Sequence, residues 1–353
     1  MFDSERLKTA RERRMLSAKG LAERVGVSAV TLSKYENGHR PDDGTAALIA
    51  RALDYPIAFF YRDPPERLDT STVSFRSLAR MKAKERRAAE AAGTLGIELY
   101  EWIGERFNLP QTDLIDLSKE RHRPHVAARL LRQHWNLGDR PIGNVLKLVE
   151  SKGVRVLSLS EATANVDAYS FWRGDHPYMF LNQEKTAERS IFDTAHELAH
   201  LVLHHHAGPE EADKDSETQA DRFASAFLMP EGDLMEYAHL SAPGQIIAAK
   251  KRWKVSAMAL AYRLHSLKYL SEWTHRSICI ELGKRGYRTG EPDGIERERS
   301  TVLAKVLTAL WSKGLTKQTI ADDLGIPLDE VEALIFRLSP ERPQERPALR
   351  LVN

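Results

Sequence analysis

The chain has 353 residues, 42% hydrophobic and 29% charged, with 20 glycines and 16 prolines. This ordinary globular composition leaves room for two or three domains and excludes a fibrous, largely disordered or single small-module protein. The 52 Lys and Arg against 50 Asp and Glu leave a net +2, which argues neither for nor against a polyanionic partner, and one cysteine, Cys279, excludes an intrachain disulfide and favours a reducing compartment, the cytoplasm.

The opening stretch, MFDSERLKTARERRMLS, carries a charge every few residues and lacks the apolar core of a secretion signal. Residues 5 to 53 then read as short helices between polar turns: Arg6 to Arg14, Gly20 to Val25, Val30 to Asn37 and Gly44 to Leu53. Leu21, Ala22, Val25, Val27, Val30 and Leu32 put apolar residues on facing sides, Gly26 sits at the turn, and Ser28 is placed to cap the next helix. This is helix-turn-helix patterning. The second helix packs through Leu32 and Tyr35 in this reading. It turns Ala29, Val30, Thr31 and Lys34 outward, puts Ser28, Ser33, Asn37 and Arg40 within reach of phosphate, and lets Val30 and Thr31 touch thymine methyls. Residues 1 to 40 hold nine Lys or Arg against five Asp or Glu, a local excess that the whole-chain balance hides. Double-stranded DNA is therefore the expected partner; a helical protein-interaction module is the alternative.

Prolines at 41, 56, 64 and 65 mark a boundary near residue 65. Residues 78 to 107 fit one long, partly buried helix that can join domains or mediate a homodimer, followed by helices at Pro124 to Trp135 and Pro141 to Glu150. Gly153 to Leu159 reads as a strand, and Val166 to Trp172 with Tyr178 to Leu181 as an antiparallel pair around a turn from Arg173 to Pro177, leading into a helix from Ala187 to His204. From Lys250 to Leu270 the chain is helical again, with a basic start, and a short apolar run covers Ile278 to Leu282. Thr301 to Leu338 repeats the two-helix rhythm around Gly325, but its second helix is acidic through Asp329, Glu330 and Glu332, which points to packing or dimerisation instead of DNA. The Pro- and Arg-rich end after Ser339 reads as flexible. Apolar stretches such as Ala220 to Pro230 and Ala257 to Leu264 fall short of the roughly 20 residues a spanning helix needs, so no membrane partner is expected.

The strongest local signal is His196-Glu197-Leu198-Ala199-His200. Four-residue spacing puts both imidazoles on one helix face, where they can converge on one zinc ion per chain, with Glu197 beside them to act on a water. A third ligand is needed while the fourth position stays open. Glu217, seventeen residues beyond His200, is the candidate, and Asp221 one turn further can accept the outward N–H of a ligating histidine. Without zinc, the same histidines and acids are an ordinary surface helix and solvated side chains over a core face of Ala220, Phe223, Ala224 and Phe227. His204 follows His200 by one turn, but a fourth protein ligand would close the site, so a rim position fits it better; Tyr169, Tyr178 or a rim histidine can supply an oxyanion donor. His205 and His206 read as ending the helix.

Taken together, GLAERVGVSAVTLSKYENGHRP resembles the phage-repressor-like XRE helix-turn-helix family. VDAYSFWRGDHPYMFLNQEKTAERSIFDTAHELAH followed by ETQADRFASAFLMP resembles the ImmA/IrrE zinc peptidases. The second resemblance implies His196, His200 and Glu217 on zinc, Glu197 as general acid and base, and cleavage of a repressor or other regulatory protein in a stress or mobile-element response. The alternative is a regulator whose zinc domain is sensory or structural. Two departures from the family patterns stand out: Ala18 or Lys19 replaces a glutamine usual at the start of the second repressor helix, and Ala199 a glycine common inside the zinc motif. The expected fold is multidomain and mainly α with an α+β core: a helix-turn-helix domain at 1–65, a helical connector at 66–136, a zincin-like peptidase domain at 137–285, a helical domain at 286–338 and a tail at 339–353.

Overall fold

The computed structural model describes residues 1–68, 82–159, 168–204 and 214–340. Among these are sixteen α-helices and one three-stranded sheet, so the chain is mainly helical around a small α+β centre. None of the helices among the described residues is long and apolar enough to cross a membrane. The tail beyond residue 340, His205 and His206 lie outside the described residues.

Four helices form the amino-terminal module: α1 (Ser4–Arg13), α2 (Ala18–Val25), α3 (Ala29–Glu36) and α4 (Asp43–Leu53). Each begins at a side-chain cap, Asp3, Ser17, Ser28 and Asp42, whose oxygen accepts from an otherwise unpaired first-turn N–H. The chain turns between α2 and α3 at Gly26, where φ is +79°, a conformation that costs any residue with a Cβ. Leu21, Leu32, Ile49 and Phe59 are fully buried at its centre.

The long helix α5 (Ala83–Arg106) is the spine of the molecule. It packs against α1, and Arg6 of α1 donates to Glu98 Oε1 at 2.8 Å. On another side it lies so close to the sheet that a Cβ at Gly96 would come within 2.4 Å of Leu157 and 2.7 Å of Phe180. Beyond it come α6 (Pro124–His134) and α7 (Val145–Ser151). The latter starts later than the pattern from Pro141 implies because Asn144 caps it, accepting from Lys147 N at 2.7 Å.

The sheet comprises β1 (Arg155–Ser158), β2 (Ala168–Arg173) and β3 (His176–Leu181) in the order β1-β3-β2, with β1 parallel and β2 antiparallel to β3. The hairpin turn is tighter than its sequence reading. Arg173 pairs with His176 across Gly174, at φ +54°, and Asp175, so Pro177 belongs to the strand, just before β1 pairing begins at Tyr178. Alternation gives the sheet two faces. Tyr169, Phe171, Tyr178 and Phe180 stack toward α5, with Tyr169 and Phe180 ring centres 4.7 Å apart, while Ser170 and Trp172 hydrogen-bond to the helix on the opposite side.

That helix is α8 (Ala187–Leu203), capped by Thr186, and its main packing partner is α9 (Lys214–Leu228). A helical set follows: α10 (Glu231–Leu234), α11 (Pro243–Ala249), α12 (Ala257–Ser266) and α13 (Glu272–Lys284). The apolar run Ile278 to Leu282 is therefore part of a helix, and the basic stretch from Lys250 is a 3-10 turn between helices. Lys250 is fully buried there, 3.0 Å from Glu188 and 2.7 Å from Glu291.

The chain closes with α14 (Thr301–Ser312), α15 (Lys317–Leu324) and α16 (Leu328–Leu334). The acidic start of α16 docks on the amino-terminal module. Glu330, 2% exposed, accepts from Arg13 Nε at 2.9 Å and from the Tyr55 hydroxyl at 2.9 Å, and Asp329 accepts from Arg14 at 2.7 Å. Nearby, Asp323 takes the indole N–H of Trp102 on the spine at 2.8 Å.

Removing the carboxylate from this junction should leave a guanidinium buried and unpaired. Glu330→Ala is expected to cost about 3–5 kcal/mol, while the double change Arg13→Met with Glu330→Met recovers most of it. Urea midpoints of the full chain measure both, and equal midpoints for Glu330→Ala and wild type would contradict the role given to this pair.

Candidate metal centre and nucleic-acid surface

Two helices build the centre. On α8, His196 and His200 are one turn apart, and their Nε2 atoms lie 3.1 Å from each other. Ala220, Phe223, Ala224 and Phe227 of α9 are fully buried, and this packing carries Glu217 to the same point, 3.5 Å from His200 Nε2 and 3.8 Å from His196 Nε2. One face of α9 is therefore core, and Glu217 stands at the edge of that face. A tetrahedral zinc with bonds of about 2.0–2.1 Å needs donors about 3.3–3.4 Å apart. The Glu217 distances run from different oxygens, Oε1 to His200 and Oε2 to His196, so the carboxylate straddles the two rings near that edge length; two imidazoles with one carboxylate are a donor set that suits zinc and leaves one position open.

Each histidine has an outward partner. His196 Nδ1 lies 2.9 Å from Asp221 Oδ1, which fixes the N–H on that side and leaves Nε2 free for a cation. His200 Nδ1 faces His204 Nδ1 at 3.0 Å, and His204 Nε2 faces Gln219 Oε1 at 2.9 Å. With the Gln219 oxygen accepting, His204 carries its hydrogen on Nε2 and accepts at Nδ1 from His200, so the His200 Nε2 lone pair also points inward. His204 thus sits beside the pair, with one ring nitrogen on His200 and the other on Gln219.

Glu197 is 1% exposed, and its carboxylate falls with the two imidazoles in a cluster of donor atoms within 4.8 Å of one another. Ser170 of β2 donates its hydroxyl to Glu197 Oε2 at 2.7 Å. Sequence reasoning passed over Ser170 and Gln219. The first is legible as the one polar residue of an otherwise apolar strand interior, on the alternating positions that face α8. The second has no spacing signal, because its reach to His204 depends on how the two helices cross.

The two tyrosines named as oxyanion donors are turned away. Tyr169 is on the opposite face of the sheet with its hydroxyl donated to Ala89 O at 2.9 Å, and Tyr178, also fully buried, stacks on Phe171 and takes a hydrogen bond from Arg155. Strand alternation is the reason: residues 169, 171, 178 and 180 share the face that packs on α5.

Burial and neighbouring charge separate the protonation of these groups. Burial opposes a charged His196, yet the hydrogen bond that it donates to Asp221 and the nearby carboxylates outweigh it and raise its pKa to about 9. Burial lowers His200 to about 4 against the pull of Glu217. Burial likewise pushes Glu197 up to about 7, against the His196 charge and the Ser170 hydrogen bond.

In the amino-terminal module, Ser28, Ala29, Val30, Ser33, Lys34, Asn37 and Arg40 are exposed and Thr31 half-buried, while Leu32 is fully buried. The outward set is therefore contiguous. The basic excess behind the DNA reading is narrower than residues 1 to 40 imply: Arg6, Arg11, Arg13 and Arg14 are held by Glu98, Glu36, Glu330 and Asp329. Lys19, Arg24, Lys34 and Arg40 are exposed, Lys19 with Glu23 at 3.9 Å.

Residues 149–265 match the family model of the IrrE N-terminal-like domain, and residues 7–60 match a helix-turn-helix model. No curated protein matches the chain. The chain carries an amino-terminal XRE-type helix-turn-helix domain, of a DNA-binding class, and an ImmA/IrrE-like domain of a metallopeptidase family.

Zinc takes neutral imidazoles, so binding near pH 7 must expel the proton that His196 otherwise keeps. Affinity is expected to rise about tenfold per pH unit up to about pH 9, read by competition with a chromophoric chelator; a flat profile would contradict this pairing. Asp221→Asn is expected to weaken zinc about 10- to 100-fold in the same assay.

Proposed function

We propose that the chain is a DNA-binding transcriptional regulator with zinc-dependent endopeptidase activity, directed at a repressor or other regulatory protein in a stress or mobile-element response. The observation that supports the peptidase half best is the convergence of His196, His200 and the Glu217 carboxylate within 3.8 Å of one another, with the buried Glu197 carboxylate at hand.

Zinc, when bound, supplies a Lewis acid for the peptide carbonyl and eases the loss of a proton from water. The chain's own residues do the rest. Glu197 takes that proton during attack and delivers it to the leaving amine, a double duty suited to a carboxylate raised to about 7. Ser170 holds Glu197 Oε2, so the other oxygen is the one free to face the reacting water. Asp221 and the pair His204 and Gln219 keep the two imidazoles in the tautomer a cation needs.

On the DNA side, α3 lies in the major groove in this reading. Val30 and Thr31 meet base edges, and Ser28, Ser33, Lys34, Asn37 and Arg40 reach phosphate. Val30 is 67% exposed at the start of α3, where its side chain is free to meet a base edge.

Glu197→Gln is expected to keep zinc and lose cleavage, seen as products present for wild type and missing for the variant in a proteome-wide comparison under inducing conditions. Identical products, or none from wild type, would favour a sensory or structural zinc domain. Replacing Thr31 and Lys34 by Ala should weaken operator binding and lower its salt slope by about one; unchanged binding across a salt series would remove α3 as the reading helix.

A further inference from the structure

Between α8, α9 and α12 lies a half-open cleft of about 880 Å³, a volume in the range of small-ligand sites. Its wall is divided. Phe192, Met258, Ala259 and Leu267 form an apolar part, with Tyr262 exposed at the margin, and the larger remainder is polar. Within that remainder Arg263 of α12 lines the cleft although it is only 9% exposed.

The other charged groups around the cleft have partners or meet water. Glu188 accepts from Lys250 Nζ at 3.0 Å and from Ile295 N at 3.2 Å, and its second oxygen is enclosed by protein. Asp221 accepts from His196 Nδ1 at 2.9 Å, and Arg189 pairs with Asp193 at 2.9 Å. His125, Arg222 and Glu231 are exposed, where water screens them. Arg263 differs from all of these. Its Nε donates to the Met229 carbonyl at 3.1 Å, just past the end of α9, which fixes the plane of the guanidinium. Among the described residues, Nη1 and Nη2 meet no hydrogen-bond acceptor and no carboxylate within ion-pair distance.

Burial disfavours the Arg263 charge and lowers its pKa, against the pull of Glu231 and Tyr269. A guanidinium drawn out of water with two N–H groups unmatched is costly for the protein alone, and an anion set against those groups offsets the cost. The planar fork suits a carboxylate or a phosphate. One guanidinium balances one negative charge, and Asp221 and Glu231 on the same cleft oppose a second, so a carboxylate fits where a phosphate dianion does not.

We propose that this cleft binds a small organic monocarboxylate with an apolar body, its carboxylate on Arg263 and its body against Phe192, Met258 and Tyr262. The cleft is lined by none of His196, His200 and Glu217, and the site does not depend on the peptidase reading of the metal centre.

The test titrates the full chain calorimetrically with 4-phenylbutyrate and with its uncharged amide. The carboxylate is expected to bind at least about tenfold tighter than the amide, the effect of a charge-assisted pair on a buried guanidinium. Arg263→Gln should erase that preference while the amide binds as before. Acetate, which lacks the apolar body, is expected to bind at least about tenfold more weakly than phenylbutyrate. Equal binding of carboxylate and amide, no binding of either, or a preference that survives Arg263→Gln overturns the site. Should Arg263→Gln fail to fold, Tyr262→Ala decides at a position 57% exposed and so tolerant of change. It is expected to weaken both phenyl probes about threefold or more, and unchanged affinity for them overturns the placement.

Discussion

The contact on which the rest depends is the packing of α8 against α9. Two imidazoles and a carboxylate do not gather at 3–4 Å unaided, because each loses water and gains only partial compensation from the others. The apolar faces of the two helices supply the force that holds them there, with Phe223 and Phe227 fully buried and Arg132 of α6 donating to the Phe227 carbonyl at the end of α9. The sheet adds the second constraint. Its Ser170 face fixes Glu197 from above, and its aromatic face is locked to α5, so Glu197 is positioned by the sheet while His196, His200 and Glu217 are positioned by the two packed helices.

A different kind of interaction joins the ends of the chain. Arg13, Arg14, Glu330, Asp329 and Tyr55 form a small buried network at the junction of the helix-turn-helix module with the last helix. The spine α5 touches both partners, through Arg6 with Glu98 and Trp102 with Asp323. Cations on the inner side of the amino-terminal module are thereby engaged within the protein, and only the outer set is left to meet a polyanion.

Much of this was legible in the sequence because it follows from periodicity. The i, i+4 pair at 196 and 200, the acid pair at 217 and 221, the cap at Ser28 and the turn at Gly26 are all local, and each is found where spacing places it. What escaped is what depends on crossing geometry. Gln219 reaches His204 only because α8 and α9 cross as they do, and Glu330 finds Arg13 across nearly the whole chain. The tyrosines misled for a related reason: an aromatic residue near a motif in sequence can point to either side of a sheet, and only the register with β3 decides. Counting basic residues misled by degree, since composition does not distinguish a solvated arginine from a paired one.

The Arg13–Glu330 pair spans 317 residues. A ribosome adding about 5–20 residues per second needs roughly 15–60 s to cover that distance. The helix-turn-helix module thus emerges well before Glu330, and until α16 is made Arg13 lacks the carboxylate with which it pairs. The junction with α16 is therefore sealed later in synthesis than the packing of the same module on α5, where Arg6 meets Glu98 across only 92 residues.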